Sequence, residues 1–407
     1  MALGKPDWLN KDFVERVLRK SEADETIRVI DIFVKPATSK GDNYTSDMLR
    51  VTVEFSHQQG KKMIKDKISI IIKIAPMEEG IRKDLISKSG IFENEMHMMT
   101  STLVKMNELL APTGIRLSSR ALYIQREEPV LLVLEDLAPL GYCMAERTSG
   151  LDLTHCLLAI KNLARFHAST VAVLEKEPKL KEVYNIGIYS EKHPPEMRKY
   201  FIENVKLLST EISKWPELDP KYSRKLIKMA DNIYLKGCEN VTVSEDEFNV
   251  INHGDFWVNN MLFRYSDDGK PIDHIFVDFQ LPFYGSPAID LQYFFNTSPS
   301  PKVYSDHKEH LMQEYHKTLI STMKQLNCTT TPPTLDEIHK QMRKRATLGM
   351  IATFTILPIV LVDKSEAKDL GEMMENGTYT NPGLQSKAFR TVFTKRISGF
   401  DQLGLLD

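Results

Sequence analysis

Two short apolar segments surround a turn in the second half of the chain, and this pattern constrains the fold more than any other feature. The segments are NMLFRY (260–265) and IDHIFVDFQ (272–280), and the SDDGKP between them contains an Asp-Gly pair typical of a hairpin turn. An antiparallel pair places the start of its first strand beside the end of its second. Asn260 and Asp278 occupy those two ends, and Asp255 precedes Asn260 by one short loop. We therefore expect these three side chains to converge.

Such a cluster has a definite chemistry. Carboxylate and amide oxygens suit a hard cation such as Mg²⁺, with phosphate oxygens in the remaining positions. A carboxylate that does not bind the metal accepts a proton from a substrate hydroxyl, as in phosphoryl transfer. Protein kinases use the same spacing of Asp, four residues, Asn, and a later Asp-Phe pair. The alternative is that Asp255 and Asn260 form only an Asx-rich turn before the hairpin.

The chain divides into a strand-rich part and a helix-rich part. After a helix near residues 9–18, the periodicity predicts five strands and one further helix: strands at 27–34, 49–55, 67–76, 121–125 and 129–137, and the helix at 91–110. From about residue 150 the patterns are mostly helical. We expect an α+β fold with a small N-terminal antiparallel-sheet lobe at residues 1–140 and a larger, mostly helical lobe at residues 141–407.

Composition excludes several classes of partner. The net charge is −2 and the pI about 6.6, so no basic excess indicates a nucleic acid or a membrane surface. The four cysteines are scattered, which disfavours a zinc site and a disulfide framework. The first residues contain no apolar segment, and the longest apolar run, Leu348 to Val362, predicts a buried helix rather than a membrane span. We expect a cytoplasmic protein with no obligate protein partner.

Several motifs, taken together, resemble a known family. HGDFWVNN and VDFQ resemble the catalytic loop and the metal-binding segment of the aminoglycoside phosphotransferase and choline kinase superfamily. DFQLPFYGSPAIDL at 278–291 is closer to one branch, the ecdysteroid-kinase-like or CHK-kinase-like family. The stretches GDNYTSDMLRVTV, IIIKIAP, FENEMHMM, LVLEDLAPLGY and LARFHA fit that branch in the same order, so the resemblance covers roughly residues 30–300.

The resemblance implies a two-lobed protein-kinase-like fold that uses ATP and Mg²⁺. Asp255 would be the catalytic base, and Asn260 and Asp278 would hold the metal ion. In the first lobe, which would bind the nucleotide, Lys73 would contact the α- and β-phosphates and a helix glutamate would anchor it. The remaining nucleotide contacts would come from the loop SKGDNYTS and from the segment that joins the lobes: Asn43 and Ser46 in the loop, and Glu135 and Leu137 through the backbone near adenine.

The residues themselves support the assignment of Lys73. Four isoleucines, at positions 68, 70, 72 and 74, share one face of its strand, and Lys73 lies on the other face with Ile71. A single lysine in such an apolar strand requires an anionic partner. Glu95 is the better candidate because it lies three residues after Phe92 and four before Met99, on one side of the predicted helix. Glu93 remains the alternative. Lys73 alone would also fit an edge strand that lysine keeps soluble.

The acceptor is expected to be a small molecule in the second, catalytic lobe. Only eleven residues separate Asp278 from Asp290, which leaves little room for a peptide-docking segment, and Gly254 stands where protein kinases have arginine. We expect a hydroxyl on a small apolar compound, such as an ecdysteroid or another steroid or xenobiotic alcohol. The alternative is a catalytically weak small-molecule binding protein on the same fold. Asp290, His253 and His167 are expected to be structural.

Overall fold

A five-stranded antiparallel sheet in the order β1-β2-β3-β5-β4 dominates the N-terminal part of the computed structural model, which describes residues 5–38, 45–368, 370–373 and 379–407. The strands lie close to their predicted positions: β1 Arg28–Pro36, β2 Asp47–Gln59, β3 Lys62–Ile74, β4 Ala121–Gln125 and β5 Leu131–Glu135. Helix α1 (Lys11–Glu22) covers one face of the sheet, where its apolar side packs on Ile70, Ile72 and Ile74. The opposite face of β3 therefore carries Lys73.

The helix expected at 91–110 is present, but a π-helical turn interrupts it. The segments are α3 (Ile91–His97), the π-helical turn Met98–Thr102 and α4 (Leu103–Leu110). Within the turn, the Thr100 hydroxyl donates to the Met96 carbonyl at 2.6 Å, a contact that competes with regular helix geometry. The sequence prediction missed α2 (Ile81–Ser89), whose apolar residues form only a weak helical stripe.

Helices form most of the chain after residue 150, as predicted. They are α5 Leu153–Lys176, α6 Leu180–Val183, α7 Pro195–Ile212, α8 Lys221–Met229, α9 Ile233–Asn240, α10 Ala288–Thr297, α11 Pro301–Asp306, α12 Lys308–Gln325, α13 Leu335–Lys344, α14 Ala346–Thr355, α15 Leu357–Leu361, α16 Leu370–Met373 and α17 Lys387–Gln402. The longest apolar run of the sequence supplies the buried helices α14 and α15. Among the described residues, no helix is long and apolar enough to span a membrane.

Two small antiparallel ladders position the loops of the candidate site. In the first, β7 (Val250–Asn252) pairs with β10 (Phe283–Gly285); in the second, β8 (Met261–Tyr265) pairs with β9 (Pro271–Phe276) and with β6 (Tyr142–Met144). The chain crosses from the first ladder to the second through residues 253–260 and returns through residues 277–282. These two loops connect the same two ladders, and for this reason they lie side by side.

The α+β prediction is confirmed: a small antiparallel-sheet lobe precedes a larger, mostly helical lobe. The predicted hairpin is present, but its second strand ends at Phe276 rather than continuing to residue 280. The reason is the backbone of Asp278, which has a φ of 64° and cannot continue a strand. The lobe boundary near residue 140 stays a prediction.

Candidate active site

The carboxylate of Asp290 holds the backbone of the loop at residues 253–260. Its Oδ2 accepts from the His253 N–H at 2.7 Å and its Oδ1 from the Gly254 N–H at 2.8 Å. His167 Nε2 contacts Oδ2 at 3.0 Å, and His167 Nδ1 contacts the Tyr315 hydroxyl at 2.7 Å. All of these groups are buried. The structural roles expected for Asp290 and His167 are therefore confirmed.

His253 and Gly254 fix the loop against the neighbouring loop at residues 277–282. His253 Nε2 lies 3.0 Å from the Val277 carbonyl, and burial lowers the pKa of His253, which favours the neutral imidazole. Gly254 has a φ of 82°, and a Cβ atom there would lie 1.7 Å from the Leu281 carbonyl oxygen. Only glycine fits this position. His253 thus braces the loop, as expected.

Asp255 and Asn260 form a direct pair across the loop. Asn260 Nδ2 donates to the Asp255 backbone carbonyl at 2.9 Å and to its Oδ2 at 2.8 Å. The Tyr293 hydroxyl on α10 also hydrogen-bonds to this carboxylate. Burial, together with the nearby charge of Asp278, raises the pKa of Asp255 to about 6, although these hydrogen bonds oppose the change. A carboxylate with a raised pKa is suited to accepting a proton near neutral pH.

Lys73 joins two carboxylates across the cleft between the lobes. Its Nζ lies 2.7 Å from Glu95 Oε2 and 2.7 Å from Asp278 Oδ1, and the side chains of Lys73 and Glu95 are each only 2% exposed. Burial lowers the pKa of Lys73, but the two carboxylates outweigh burial and leave that pKa raised. Glu93 instead binds Arg126 on the surface, at 3.0 Å. Of the two glutamates considered from the sequence, Glu95 is the partner of Lys73.

Gln280 belongs to this cluster, and the sequence analysis gave it no role. Its amide satisfies its neighbours when Nε2 donates to Thr45 Oγ1 at 2.6 Å and to Asp278 Oδ1 at 3.1 Å, with Oε1 accepting from Lys73 Nζ at 3.3 Å. It therefore orients both charged partners. The available signal was its place two residues after Asp278 in VDFQ.

Asn260 and Asp278 could hold a magnesium ion. They line one cavity with Asp255, and the Asp278 side chain is 23% exposed. One carboxylate and one amide oxygen fit Mg²⁺, which commonly takes most of its ligands from phosphates and water. The described part of the chain contains no group of three or more His, Cys, Asp or Glu side chains arranged to hold a metal, so most ligands of such an ion would have to come from phosphates or water. The donor set therefore fits the expected ion.

The other residues expected to bind the nucleotide lie in different surroundings. Ser46 is buried beside the start of β2, whereas Asn43 lies outside the described residues. The Glu135 carboxylate is bound by Arg116, so its side chain is already engaged. The Leu137 carbonyl accepts from two later backbone N–H groups, at 3.1 and 3.2 Å. The assignment of Ser46, Glu135 and Leu137 to the nucleotide therefore stays a prediction.

Asp136, which the sequence analysis did not single out, fixes the segment between the lobes. It lies 2.7 Å from Arg50 Nε on β2 and accepts from the Ser69 hydroxyl on β3 at 2.7 Å. It also accepts from the Ala138 N–H at 3.1 Å. The acidic residue thus ties the connecting segment to the sheet.

The cavity that contains Asp255 and Asp278 is otherwise largely apolar. Its wall includes residues from both lobes: Leu85, Ile86, Met197, Phe201, Trp257 and Ile359. Among the aromatic residues noted near the catalytic loop, Trp257 lines this cavity, whereas Phe256 is fully buried and Tyr284 lines a separate open groove. The lining contains no lysine, arginine or histidine among the described residues. The cavity is therefore lined by two carboxylates, and the rest of its wall is uncharged.

The chain resembles known proteins in both sequence and structure. The model of the ecdysteroid kinase-like family matches residues 40–328. No curated protein matches the chain. An aminoglycoside phosphotransferase from Streptomyces rimosus, solved in complex with ADP and streptomycin, aligns over 84% of this chain and 97% of its own, with 12% identity and a TM-score of 0.33.

Proposed function

Because the chain belongs to the ecdysteroid kinase-like family, we propose that it transfers the γ-phosphate of ATP to a hydroxyl group of a small, apolar acceptor. An ecdysteroid, another steroid alcohol or a xenobiotic alcohol is the proposed acceptor class. One observation carries the proposal: the Asp255 carboxylate lines the same cavity as Asp278 and Asn260, and the rest of that cavity is an uncharged, mostly apolar wall.

Each charged residue of the cluster has a proposed role. Asp255 accepts the proton of the acceptor hydroxyl, and Asn260 holds the Asp255 carboxylate in place through its amide N–H. Lys73, anchored by Glu95, binds the phosphates of ATP. Asp278 and the Asn260 oxygen hold Mg²⁺, which neutralises the phosphate charge when it is bound. Ser46, Glu135 and Leu137 complete the nucleotide site in this proposal, together with Asn43.

The apolar wall supports an uncharged acceptor. A cationic acceptor would need more carboxylates than the two that the phosphate chemistry already uses, and an anionic acceptor would need a cation in the lining. Residues from both α2 and α7 line the cavity, so an acceptor would contact both lobes. The expected cytoplasmic location and the absence of nucleic-acid, membrane and obligate protein partners stay predictions.

The alternative function, a binding protein with little catalysis, makes a different prediction from the same site. Purified protein and its Asp255→Asn, Asp278→Ala and Asp273→Asn variants would be incubated with γ-labelled MgATP and a panel of steroid and phenolic alcohols. Asp273→Asn is the matched control because this aspartate lies in the same hairpin, where it pairs with Arg264 at the surface.

A kinase should produce labelled acceptor with the wild type and the control. Asp255→Asn should bind nucleotide and lose transfer, and Asp278→Ala should lose Mg²⁺-dependent nucleotide binding. Transfer by Asp255→Asn at the wild-type rate would refute the assigned base. Tight acceptor binding with no transfer to any acceptor, in the wild type as well, would favour the binding protein.

A further inference from the structure

Two tyrosines line the cavity beside Asp255, and they have different hydrogen-bond partners. Tyr293 on α10 bonds to the Asp255 carboxylate itself. Tyr200 on α7 lines the same cavity as Asp255, and its hydroxyl bonds to Tyr379, a residue near the C-terminus. The rings of Tyr200 and Tyr379 meet edge to face, with centroids 5.5 Å apart and planes at 87°. Tyr293 therefore holds the Asp255 carboxylate, whereas Tyr200 is bonded to another tyrosine.

Asn204, fully buried one helical turn after Tyr200, determines the direction of these hydrogen bonds. Its Nδ2 donates to the Tyr200 backbone carbonyl at 3.1 Å and to the Tyr379 hydroxyl at 2.6 Å. Its Oδ1 accepts from Asn381 Nδ2 at 2.8 Å. Since only an N–H group can face a backbone carbonyl, the orientation of the Asn204 amide is fixed.

The fixed amide sets the direction of the two hydroxyl groups. The Tyr379 oxygen accepts from Asn204, so the Tyr379 hydrogen is directed to the Tyr200 oxygen. The Tyr200 oxygen is then an acceptor, and within the described part of the chain its own hydrogen has no partner. Tyr200 is 8% exposed, and it lines the cavity. A preset hydroxyl donor thus lines the same cavity as Asp255, and the wall of that cavity is otherwise mostly apolar.

We propose that Tyr200 donates a hydrogen bond to a second oxygen atom of the acceptor, next to the hydroxyl that is phosphorylated. The acceptor class is therefore narrower than any apolar alcohol: it is an apolar diol or hydroxyketone with neighbouring oxygens. This inference rests on the proposed function, because it assigns the cavity to the acceptor. A buried donor without a partner is costly, so the site selects against an analogue that lacks the second oxygen.

A matched set of steroid probes tests this selection by binding alone. Estriol and its epimer at the added hydroxyl carry two hydroxyl groups on adjacent carbons of the five-membered ring, whereas estradiol carries one. Their affinities for the full chain would be measured by equilibrium dialysis with Mg²⁺ and a non-hydrolysable ATP analogue. The variants are Tyr200→Phe, Tyr379→Phe and, as a control, Tyr265→Phe. Tyr265 ends β8 at the far end from Asn260, does not line the cavity, and its hydroxyl lies 3.0 Å from His155 on α5.

The wild type should bind one of the two diols about 10-fold more tightly than estradiol, the effect of one well-formed hydrogen bond. In Tyr200→Phe the ratio should fall to about one through weaker diol binding. In Tyr379→Phe, where the Tyr200 hydroxyl stays but loses its orientation, an intermediate ratio is expected. The Tyr265→Phe control should keep the wild-type ratio.

Three results would overturn the inference: no preference for either diol in the wild type, a preference that survives Tyr200→Phe, or no binding of any probe. The last result would also contradict the apolar acceptor class. A preference that depends on Tyr200, without phosphate transfer to the same diol, would uphold the inference and count against the kinase proposal. The two proposals therefore fail by different observations.

Discussion

Lys73→Met is expected to destabilise the protein by an amount that increases with pH. In the wild type, one ammonium group serves two carboxylates at 2.7 Å, and burial raises the pKa of Glu95 to about 7 even with this partner present. Methionine keeps the volume of the lysine stem but removes the charge. Glu95, only 2% exposed, is then left without a cation, so its pKa must rise further.

The size of the effect follows from proton linkage. The folded-state pKa of Glu95 is about 7, above its ordinary value of 4.5. Between these two values the folded protein holds a proton that the unfolded protein releases, so stability falls as the pH rises. In the wild type this loss ends near pH 7, where Glu95 ionises beside Lys73. In the variant it continues, at about 1.4 kcal/mol for each pH unit. Between pH 7 and pH 9 the variant should lose up to about 3 kcal/mol more than the wild type.

Urea unfolding of both proteins at pH 6, 7, 8 and 9 measures this difference. The control is Lys73→Met combined with Glu95→Gln, which removes the ionisable group and should show no growth of destabilisation above pH 7. Glu93→Gln in the same background is the matched negative control, because Glu93 is bound to Arg126 at the surface. A Lys73→Met effect that is constant over this pH range would refute the reasoning, as would growth that persists in the Glu95→Gln double variant.

Two further predictions concern the loop and the cavity wall. Gly254→Ala should lower kcat about 100-fold with nucleotide binding retained, because the added Cβ would clash with the Leu281 carbonyl and displace the catalytic loop. An unchanged kcat in steady-state kinetics would contradict this account. Leu85→Ala, which trims the α2 side of the cavity, should raise KM for the acceptor about 10-fold and leave KM for ATP unchanged. The exposed Lys88→Ala on the same helix should change neither KM, and an equal rise in both values for Leu85→Ala would argue against a place in the acceptor site.

Local sequence patterns predicted the parts of the site that short-range structure determines. The Asp-Gly turn fixed the hairpin, and the hairpin placed Asn260 and Asp278 on one cavity. Alternation along β3 put Lys73 on the face opposite its isoleucines, where it needed an acidic partner. Helical spacing favoured Glu95, and the geometry agrees. Glu95 is buried against Lys73, whereas Glu93 is exposed to solvent and pairs with Arg126.

Contacts between distant parts of the chain could not be predicted in this way. Asn204 meets Tyr379 and Asn381 only because α7 packs beside the C-terminal segment, and nothing in the local sequence of either marks the pair. Helix α2 was missed because its few apolar residues form only a weak helical stripe, although Leu85 and Ile86 are buried and line the cavity. Local hydrophobic periodicity predicts which residues are buried. It does not predict which residues line a cavity, because that depends on how separate elements pack together.

In the proposed kinase, the contacts of Lys73 would change when a nucleotide binds. Lys73 pairs with Glu95 within its own lobe, and across the cleft it pairs with Asp278 and donates to the Gln280 amide oxygen. The proposed magnesium ion would take the Asp278 carboxylate, and the phosphates would take the lysine, so the cross-cleft ion pair would be exchanged for two contacts to the ligand. The Glu95 contact has no competitor and would persist. Gln280, which touches both Lys73 and Asp278, would hold the two partners in place during this exchange.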